Sequence, residues 1–216
     1  MYNRKVNEVK TNKQGEIVTM KSFLETRSLF IHIPKTGGIS VHKSLYGNRS
    51  NGHYNYMDYK IILGQDLYNQ FFSFAFVRNP WDRLVSSFFY FKNGGGGNKS
   101  EYEWSMKQIA PFNTFNEFVI NWLDNIDNRI SKIQFYEQSK FILNNNNKSQ
   151  VNYIGKYENL LADFDYVRSK IGKIRQLEHL NSSNREKDYR NYYNDKSIEI
   201  IAKIYKRDII NFGYHF

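Results

Sequence analysis

The residues best suited to chemistry follow a short apolar run near the start of the chain. Ser28 to Ile33 is apolar and stops at Pro34, and the next residues are Lys35-Thr36-Gly37-Gly38-Ile39-Ser40. Adjacent glycines let the backbone turn tightly and approach a ligand without obstruction by a Cβ atom. A helix that starts after them presents backbone N–H groups and the positive end of its dipole. Together with the lysine ammonium and two hydroxyls, this loop predicts a cradle for a phosphate or sulfate group.

The order of residues in this loop differs from the Walker A phosphate loop, G-x-x-x-x-G-K-[ST]. Lys35 precedes the glycines, and neither Walker A glycine comes before it. This order weakens an ATPase or kinase interpretation. An ordinary glycine turn between a strand and a helix would have the same sequence, so the loop by itself leaves that alternative open.

A second candidate group follows the next apolar run, Phe71 to Val77. Arg78 comes directly after this predicted strand, where parallel sheets place ligand-binding residues. Asn79 and Pro80 supply a helix cap and a first-turn residue, and Ser86 lies two turns along the predicted helix. The arginine fork and the serine hydroxyl can act on one anion. A structural role for either side chain is the alternative.

The elements that must position these motifs alternate between strands and helices. This alternation predicts an α/β fold with a central, mostly parallel sheet flanked by helices. A further strand is predicted over Val151 to Gly155. The helices are predicted over Ile39 to Tyr46, Trp81 to Phe91, Thr114 to Ile126, Leu160 to Ile171 and Ser197 to Phe212.

Length and composition set limits on the class of protein. The 216 residues, 40% of them hydrophobic, can bury a substantial core, and we predict an N-terminal extension over residues 1–27 and a single domain over residues 28–216. The net charge of +10 favours an anionic partner, although a merely basic protein would also carry it. No cysteine is present, which excludes thiolate metal sites and cysteine nucleophiles and fits a reducing compartment. With neither a signal peptide nor an apolar run of about 20 residues, the sequence predicts a cytoplasmic protein without a membrane span.

Two segments resemble the donor-binding motifs of carbohydrate sulfotransferases. Phe30 to Ser40 is similar to their 5′-phosphosulfate loop, and Phe74 to Ser86 is similar to their 3′-phosphate motif. The family includes heparan sulfate 2-O-sulfotransferases and many bacterial relatives. Ile154 to Leu160 and Asp208 to Phe216 also resemble bacterial members, so the resemblance extends from about residue 28 to the C-terminus.

The resemblance implies a sulfotransferase fold related to the P-loop nucleotide kinases. It implies 3′-phosphoadenosine 5′-phosphosulfate as the donor, adenosine 3′,5′-bisphosphate as the product, no catalytic metal, and a hydroxyl acceptor that is usually on a sugar. Arg78 and Ser86 would bind the 3′-phosphate. Relatives often carry threonine where this chain has Ile39, so that side-chain contact is not expected here. The 5′-phosphosulfate would be held by Lys35, Thr36, Gly37, Gly38, Ile39 and Ser40.

Two residues are the candidates for catalysis. Lys35 is placed by the motif to neutralise the bridging oxygen as the S–O bond breaks. His53 is our candidate general base, because an imidazole with a pKa near 6.5 suits proton abstraction at neutral pH and relatives often place a histidine between the two motifs. A solvated loop histidine is the alternative. Glu158 is a second candidate base, and His32 is expected to lie in the core.

The segment Asn184 to Arg190 is basic and aromatic. We expect it to close over the donor, with Arg185 or Lys187 reaching a phosphate and Tyr189 contacting the nucleotide; a solvated loop is the alternative.

Two other functions of the protein would account for part of the sequence pattern. A P-loop kinase would bind a nucleotide, and a non-catalytic polyanion-binding protein would account for the charge. We expect instead a glycan or other hydroxyl-bearing acceptor, with the charge compatible with an anionic glycan, and no nucleic-acid partner.

Overall fold

The two apolar runs that precede the candidate motifs become neighbouring strands of one parallel sheet. The structure is a computed structural model that describes residues 10–11, 17–18, 20–47, 52–178 and 185–216. Strands β1 (Ser28–Phe30), β2 (Phe72–Val77) and β3 (Tyr153–Lys156) lie in the order β1-β2-β3, and both pairings are parallel. The predicted α/β fold with a parallel sheet is therefore confirmed.

The chain divides into two compact units. The first unit comprises Met1–Val77 and Gln138–Leu180, and the second comprises Arg78–Glu137 and Asn181–Phe216. The predicted boundary between an extension over residues 1–27 and a domain over residues 28–216 stays a prediction. Of the residues before 28, the structure describes a short antiparallel pair, Lys10–Thr11 with Ile17–Val18, and a helix.

Helices surround the sheet in the first unit and make up the second. In chain order they are α1 (Lys21–Thr26), α2 (Gly38–Tyr46), α3 (Tyr56–Leu63), α4 (Gln65–Gln70), α5 (Pro80–Lys92), α6 (Lys99–Gln108), α7 (Phe115–Phe118), α8 (Ile126–Ile130), α9 (Ser139–Ile142), α10 (Leu160–Lys170), α11 (Asp195–Ile204) and α12 (Lys206–Phe212). A π-helical turn spans Val119–Leu123, and 3₁₀ turns span Ile133–Phe135, Tyr157–Asn159 and Tyr189–Tyr192.

Aromatic side chains of neighbouring strands pack together in the core of the first unit. The rings of Phe30 and Phe74, which are register partners on β1 and β2, stack with centroids 5.1 Å apart. A strand that is covered on both faces has a mostly apolar sequence, and β1 and β2 are apolar except for the buried Ser28 and Ser73. Gly155 on β3 faces Phe76 so closely that a Cβ atom there would lie 2.6 Å from the ring. Any other residue at this position would force the Phe76 ring or the strand to shift.

The second unit has an aromatic core of its own. Phe88 on α5 packs against Phe118, and Phe118 stacks on Trp122 with centroids 5.4 Å apart. The buried Tyr205 donates its hydroxyl hydrogen bond to the carbonyl of Phe135 at 2.8 Å. This core keeps α5, the helix that carries the second motif, in a fixed position within its unit.

The predicted elements are largely present, with differences in their extent. β1 ends at Phe30 rather than at Ile33, although the backbone N–H of Ile31 still donates to the carbonyl of Phe74. The helix predicted over residues 114–126 is a single turn of α-helix followed by the π-helical turn. The helix predicted over residues 197–212 is divided into α11 and α12 at Tyr205.

Candidate functional site

The loop between β1 and α2 is built by backbone geometry. Gly37 is the N-terminal cap residue of α2 and has φ of 78°, a left-handed conformation that glycine adopts without strain. Lys35 also lies in the left-handed region, with φ of 68°. The hydroxyl of Thr36 donates to the carbonyl of Ile33 at 2.9 Å, and this side chain is fully buried. The hydroxyl of Thr36 therefore closes the turn, and what Thr36 can offer an anion is its backbone.

Both glycines of the loop are packed against other side chains. A Cβ atom on Gly38 would lie 2.0 Å from Cδ2 of His32, and one on Gly37 would lie 3.1 Å from Leu160 and 3.3 Å from Tyr157. The loop therefore packs between the imidazole ring of His32 and the segment from Tyr157 to Leu160, which follows β3. Sequence reasoning missed the contribution of Tyr157 and Leu160, although both belong to a segment that resembles the family.

The first turn of α2 has the chemistry of an anion site. Backbone N–H groups at the start of a helix have no acceptor within the helix and carry the positive end of the dipole. Ile39 is the exposed side chain here, and Ser40 is buried. The predicted phosphosulfate residues, Lys35 to Ser40, are thus consecutive around one helix start, and the Lys35 side chain is partly exposed beside it.

His53 lies next to this loop within the first unit. Its Nδ1 atom is 3.0 Å from the carbonyl oxygen of His32, and the two imidazole rings have centroids 4.4 Å apart. Because a carbonyl oxygen can only accept, Nδ1 is the protonated nitrogen and the lone pair of a neutral His53 ring is on Nε2. The structure therefore brings His53 together with the loop and fixes which nitrogen could act as a base.

His32 is held in its neutral form. Burial lowers its pKa well below the ordinary value, and the nearby His53, His42 and Lys35 lower the pKa further. The ring stacks on Phe30 and packs against Gly38, so it supports the loop from inside the unit. Glu158, the second candidate base, is exposed on the 3₁₀ turn after β3.

The second motif brings two arginines to one carboxylate within the second unit. Asp82 Oδ2 is 2.8 Å from Nε of Arg78 and 2.7 Å from one of its terminal nitrogens. Asp82 Oδ1 is 2.5 Å from a terminal nitrogen of Arg185. Both arginine side chains are nearly buried, at 7% and 8% exposure. The predicted phosphate-binding residues Arg78 and Arg185 are thus placed together, through an aspartate to which the sequence assigned no role.

Arg83, five residues after Arg78, has a different environment. Its guanidinium donates to the carbonyls of Tyr136 at 2.8 Å and Gln134 at 3.2 Å, and only 2% of the residue is exposed. Burial lowers its pKa, while Tyr205 and the buried Asp208 partly restore it. Arg83 therefore joins α5 to the 3₁₀ turn Ile133–Phe135 as a structural residue. Ser86, the predicted phosphate ligand, lies one turn later on α5 and is also buried.

Tyr189 is joined to the start of α5. The Nδ2 group of Asn79 donates to the hydroxyl of Tyr189 at 3.2 Å and to the carbonyl of His215 at 2.8 Å. The guanidinium of Arg190 lies 4.8 Å from the centroid of the Tyr189 ring. Lys187 is exposed, and Asn184 lies outside the described residues. The segment after residue 184 is therefore packed on the second motif over the part that the structure describes.

Among the residues that the structure describes, no three His, Cys, Asp or Glu side chains are grouped so that they could hold a metal ion. None of the described helices combines the length and the apolar character needed to cross a membrane.

Comparison with known proteins adds two positive findings. The profile of the family described as "Sulfotransferase family" matches residues 26–215, which is nearly the whole chain. The chain is also 31% identical over 118 residues to an uncharacterized protein of Archaeoglobus fulgidus, an alignment that covers 54% of this chain and 80% of the relative. No solved structure matches the chain.

Proposed function

Because this chain belongs to the sulfotransferase family, we propose that it transfers a sulfonate group from 3′-phosphoadenosine 5′-phosphosulfate to a hydroxyl group of a carbohydrate. Family membership makes the chain an enzyme that transfers sulfonate to an acceptor. The donor, the acceptor class and the roles of individual residues are the proposal. The observation that carries the proposed donor is that Arg78 and Arg185 lie together at Asp82. Two neighbouring guanidinium groups suit a phosphate, and the 3′-phosphate is the group that distinguishes this donor from ATP.

The loop between β1 and α2 is suited to the 5′-phosphosulfate. Gly37 and Gly38 let the backbone N–H groups approach an anion, and a side chain at either glycine would collide with its surroundings. Ser40 adds a hydroxyl in the first turn, and Lys35 adds a cation. The proposed ligands are the predicted residues Lys35, Thr36, Gly37, Gly38, Ile39 and Ser40, with Thr36 and Ile39 acting through the backbone.

The second motif is suited to the 3′-phosphate. Arg78 and Arg185 present guanidinium groups, which bind phosphate oxygens with two parallel hydrogen bonds. Ser86 is the proposed hydroxyl ligand on α5. Tyr189 is the proposed nucleotide contact, and its hydrogen bond from Asn79 holds it near the helix start.

Lys35 is the proposed electrostatic catalyst. In the transfer, the acceptor oxygen forms a bond to sulfur while the bond from sulfur to the bridging oxygen breaks, and negative charge grows on that oxygen. An ammonium group aimed at the developing charge stabilises the transition state more than the ground state. Lys35 lies at the turn where the phosphosulfate would be bound, and its backbone is held in an uncommon conformation there.

His53 is the proposed general base. Nε2 of the neutral ring would accept the proton of the acceptor hydroxyl as that oxygen attacks. The hydrogen bond from Nδ1 to the His32 carbonyl orients the ring and stabilises the protonated form that results. The neutral state of His32 avoids a second positive charge beside it.

The acceptor is assigned from its chemistry alone. A net charge of +10 is compatible with an anionic glycan, and an aromatic content of 17% suits sugar binding as well as core packing. We propose a carbohydrate hydroxyl, without a nucleic-acid partner and without a catalytic metal. A location in the cytoplasm and a kinship with the heparan sulfate 2-O-sulfotransferases in particular stay predictions.

Calorimetry on the full chain tests the donor. We expect tight binding of adenosine 3′,5′-bisphosphate in the presence of a metal chelator, and weak binding of ATP with or without magnesium. Tight, magnesium-dependent ATP binding would instead point to a kinase, and binding of polyanions without either nucleotide would point to a non-catalytic binder. A radiolabelled-donor assay against polysaccharides, oligosaccharides and small alcohols then identifies the acceptor.

A further inference from the structure

The carboxylate of Asp82 lies between the two arginines proposed for the 3′-phosphate. One of its oxygens bonds Arg78, and the other bonds Arg185. Asp82 is in the first turn of α5, and its side chain is 14% exposed. Nothing about an anion site by itself requires an acidic residue in it, since a carboxylate repels the phosphate that the arginines would bind.

Other charged groups lie near Asp82 in the second unit. Among the described residues, Arg78 and Arg185 bond Asp82, Arg83 lies near Arg78, and the buried Asp208 lies near Arg83. Tyr193 also lies close: burial raises its pKa, Asp82 raises the pKa further and Arg185 lowers it. The Tyr193 hydroxyl donates to the carbonyl of Trp81. The side chains of Arg78, Arg185 and Asp82 are at most 14% exposed, so the contacts between them are little screened by water.

Ordering is what Asp82 can contribute to such a site. An arginine side chain has many rotamers, and fixing it on a ligand costs conformational entropy. Asp82 is fixed in turn by α5, which begins at Pro80 and has Asn79 as its cap residue. The two carboxylate oxygens of Asp82 therefore hold Arg78, which directly precedes the helix cap, and Arg185, which is distant in sequence, in fixed positions relative to α5.

We propose that Asp82 is a positioning residue that orders Arg78 and Arg185 for the 3′-phosphate and so determines selectivity for 3′-phosphorylated nucleotides. This inference rests on the donor proposed above. It predicts a change in anion affinity on removal of the Asp82 charge that is opposite in direction to the change expected from Coulomb's law alone. Removing a negative charge beside an anion site should tighten anion binding by Coulomb's law, whereas loss of ordering should weaken it.

The test measures affinity for adenosine 3′,5′-bisphosphate and for adenosine 5′-phosphate by calorimetry. Asp82→Asn is compared with Asp127→Asn, which makes the same charge change at an exposed position of the second unit. We expect Asp82→Asn to bind the bisphosphate about tenfold more weakly, the size of a lost charge-assisted contact. Its affinity for the 5′-phosphate, and both affinities of Asp127→Asn, should stay at wild-type values.

The ratio of the two affinities is the decisive quantity, because general loss of folded protein lowers both together. If Asp82→Asn does not fold, Asp82→Glu replaces it: the charge is kept but the oxygens move by one methylene, and the ratio should fall by a smaller factor. An unchanged or increased ratio overturns the inference and leaves the donor proposal in place. A wild-type chain that shows no preference for the bisphosphate overturns the donor proposal, and the inference with it.

Discussion

The two candidate motifs differ in the groups that they could present to an anion. In the first unit, the loop from Lys35 to Ser40 relies on backbone N–H groups, two glycines and one lysine. In the second unit, Arg78 and Arg185 rely on buried guanidinium groups held by a carboxylate. Backbone N–H groups keep their positions while charge develops on a reacting group. Nearly buried guanidinium groups instead match the geometry of an anion that does not move during the reaction. In the function proposed above, the first motif would bind the sulfonate that is transferred and the second would bind the 3′-phosphate that stays on the nucleotide.

The largest expected effect is that of Lys35→Ala. If Lys35 neutralises the bridging oxygen, turnover should fall by about 10³-fold, at the upper end for the loss of one preorganised electrostatic group, while donor affinity changes much less. Steady-state kinetics together with calorimetry separate the two quantities. Lys43→Ala is the matched control, because Lys43 lies on α2, the helix that follows the loop, and pairs with Glu178 at 3.0 Å. Equal losses of turnover and affinity in Lys35→Ala would show that Lys35 only binds.

His53→Ala should have the next largest effect, because it also acts on the first motif. We expect about a 10²-fold loss of turnover, the lower end for a general base, with donor affinity unchanged. Transfer activity and the midpoint of thermal unfolding are measured on the same preparation. Full activity in a variant of unchanged stability would remove His53 from the mechanism and leave Glu158 as the candidate base.

Arg78→Lys probes the second motif and should change binding rather than turnover. Lysine keeps the charge but loses the two-pronged geometry, so the Kd for adenosine 3′,5′-bisphosphate should rise about tenfold while turnover at saturating donor is retained. Arg129→Lys, which alters an arginine bonded to the carbonyls of Leu123 and Asp124, is the control in the same unit. A large fall in turnover at saturation would contradict the division of roles between the two motifs.

The smallest expected effect is a pH dependence of stability from His32. Its pKa is lowered by folding, so below the ordinary pKa near 6.5 the unfolded chain takes up a proton that the folded chain does not, and stability falls as the pH falls. The contribution is at most about 1.4 kcal/mol per pH unit. Urea unfolding at several pH values between 7.5 and 5 should show a steeper loss in the wild type than in His32→Asn. Equal slopes would show that His32 does not contribute.

The sheet could be predicted from sequence because buried parallel strands leave a plain pattern. Phe71 to Val77 is apolar at every position but Ser73, and it forms β2 over Phe72–Val77. The helix start after Asn79 and Pro80 was also predictable, since the Asn79 side chain accepts from the N–H of Trp81 and Pro80 is the first helical residue. Such signals lie within a few residues of the element that they specify.

Other elements depend on signals that are weaker or more distant. α3 begins with a capping box in which Asn55 and Asp58 bond each other's backbone, a local signal that the sequence analysis overlooked. The division of the last helix at Tyr205 has a tertiary cause, because the buried hydroxyl of Tyr205 bonds the carbonyl of Phe135. The hydrophobic periodicity of residues 197–212 gives no indication of that contact.

For the candidate site, the sequence indicated the residues but not their supports. The proposed roles of Lys35, His53 and Arg78 stay predictions. The contacts around them were beyond local pattern: Asp82 meets Arg185 across 103 positions, and Leu160 packs against Gly37. Contacts of this kind arise only when the chain is folded, and a single sequence does not show which distant residues share them.

The backbone of Lys35 has a consequence for engineering of the protein. With φ of 68°, this lysine is in a conformation that costs an ordinary residue roughly 1–2 kcal/mol and that glycine adopts freely. A library selected only for heat resistance would therefore favour glycine at this position and discard the ammonium group. If Lys35 is the electrostatic catalyst proposed above, the selected variants would be stable but slow, so a screen of this protein for stability needs a turnover assay at every round.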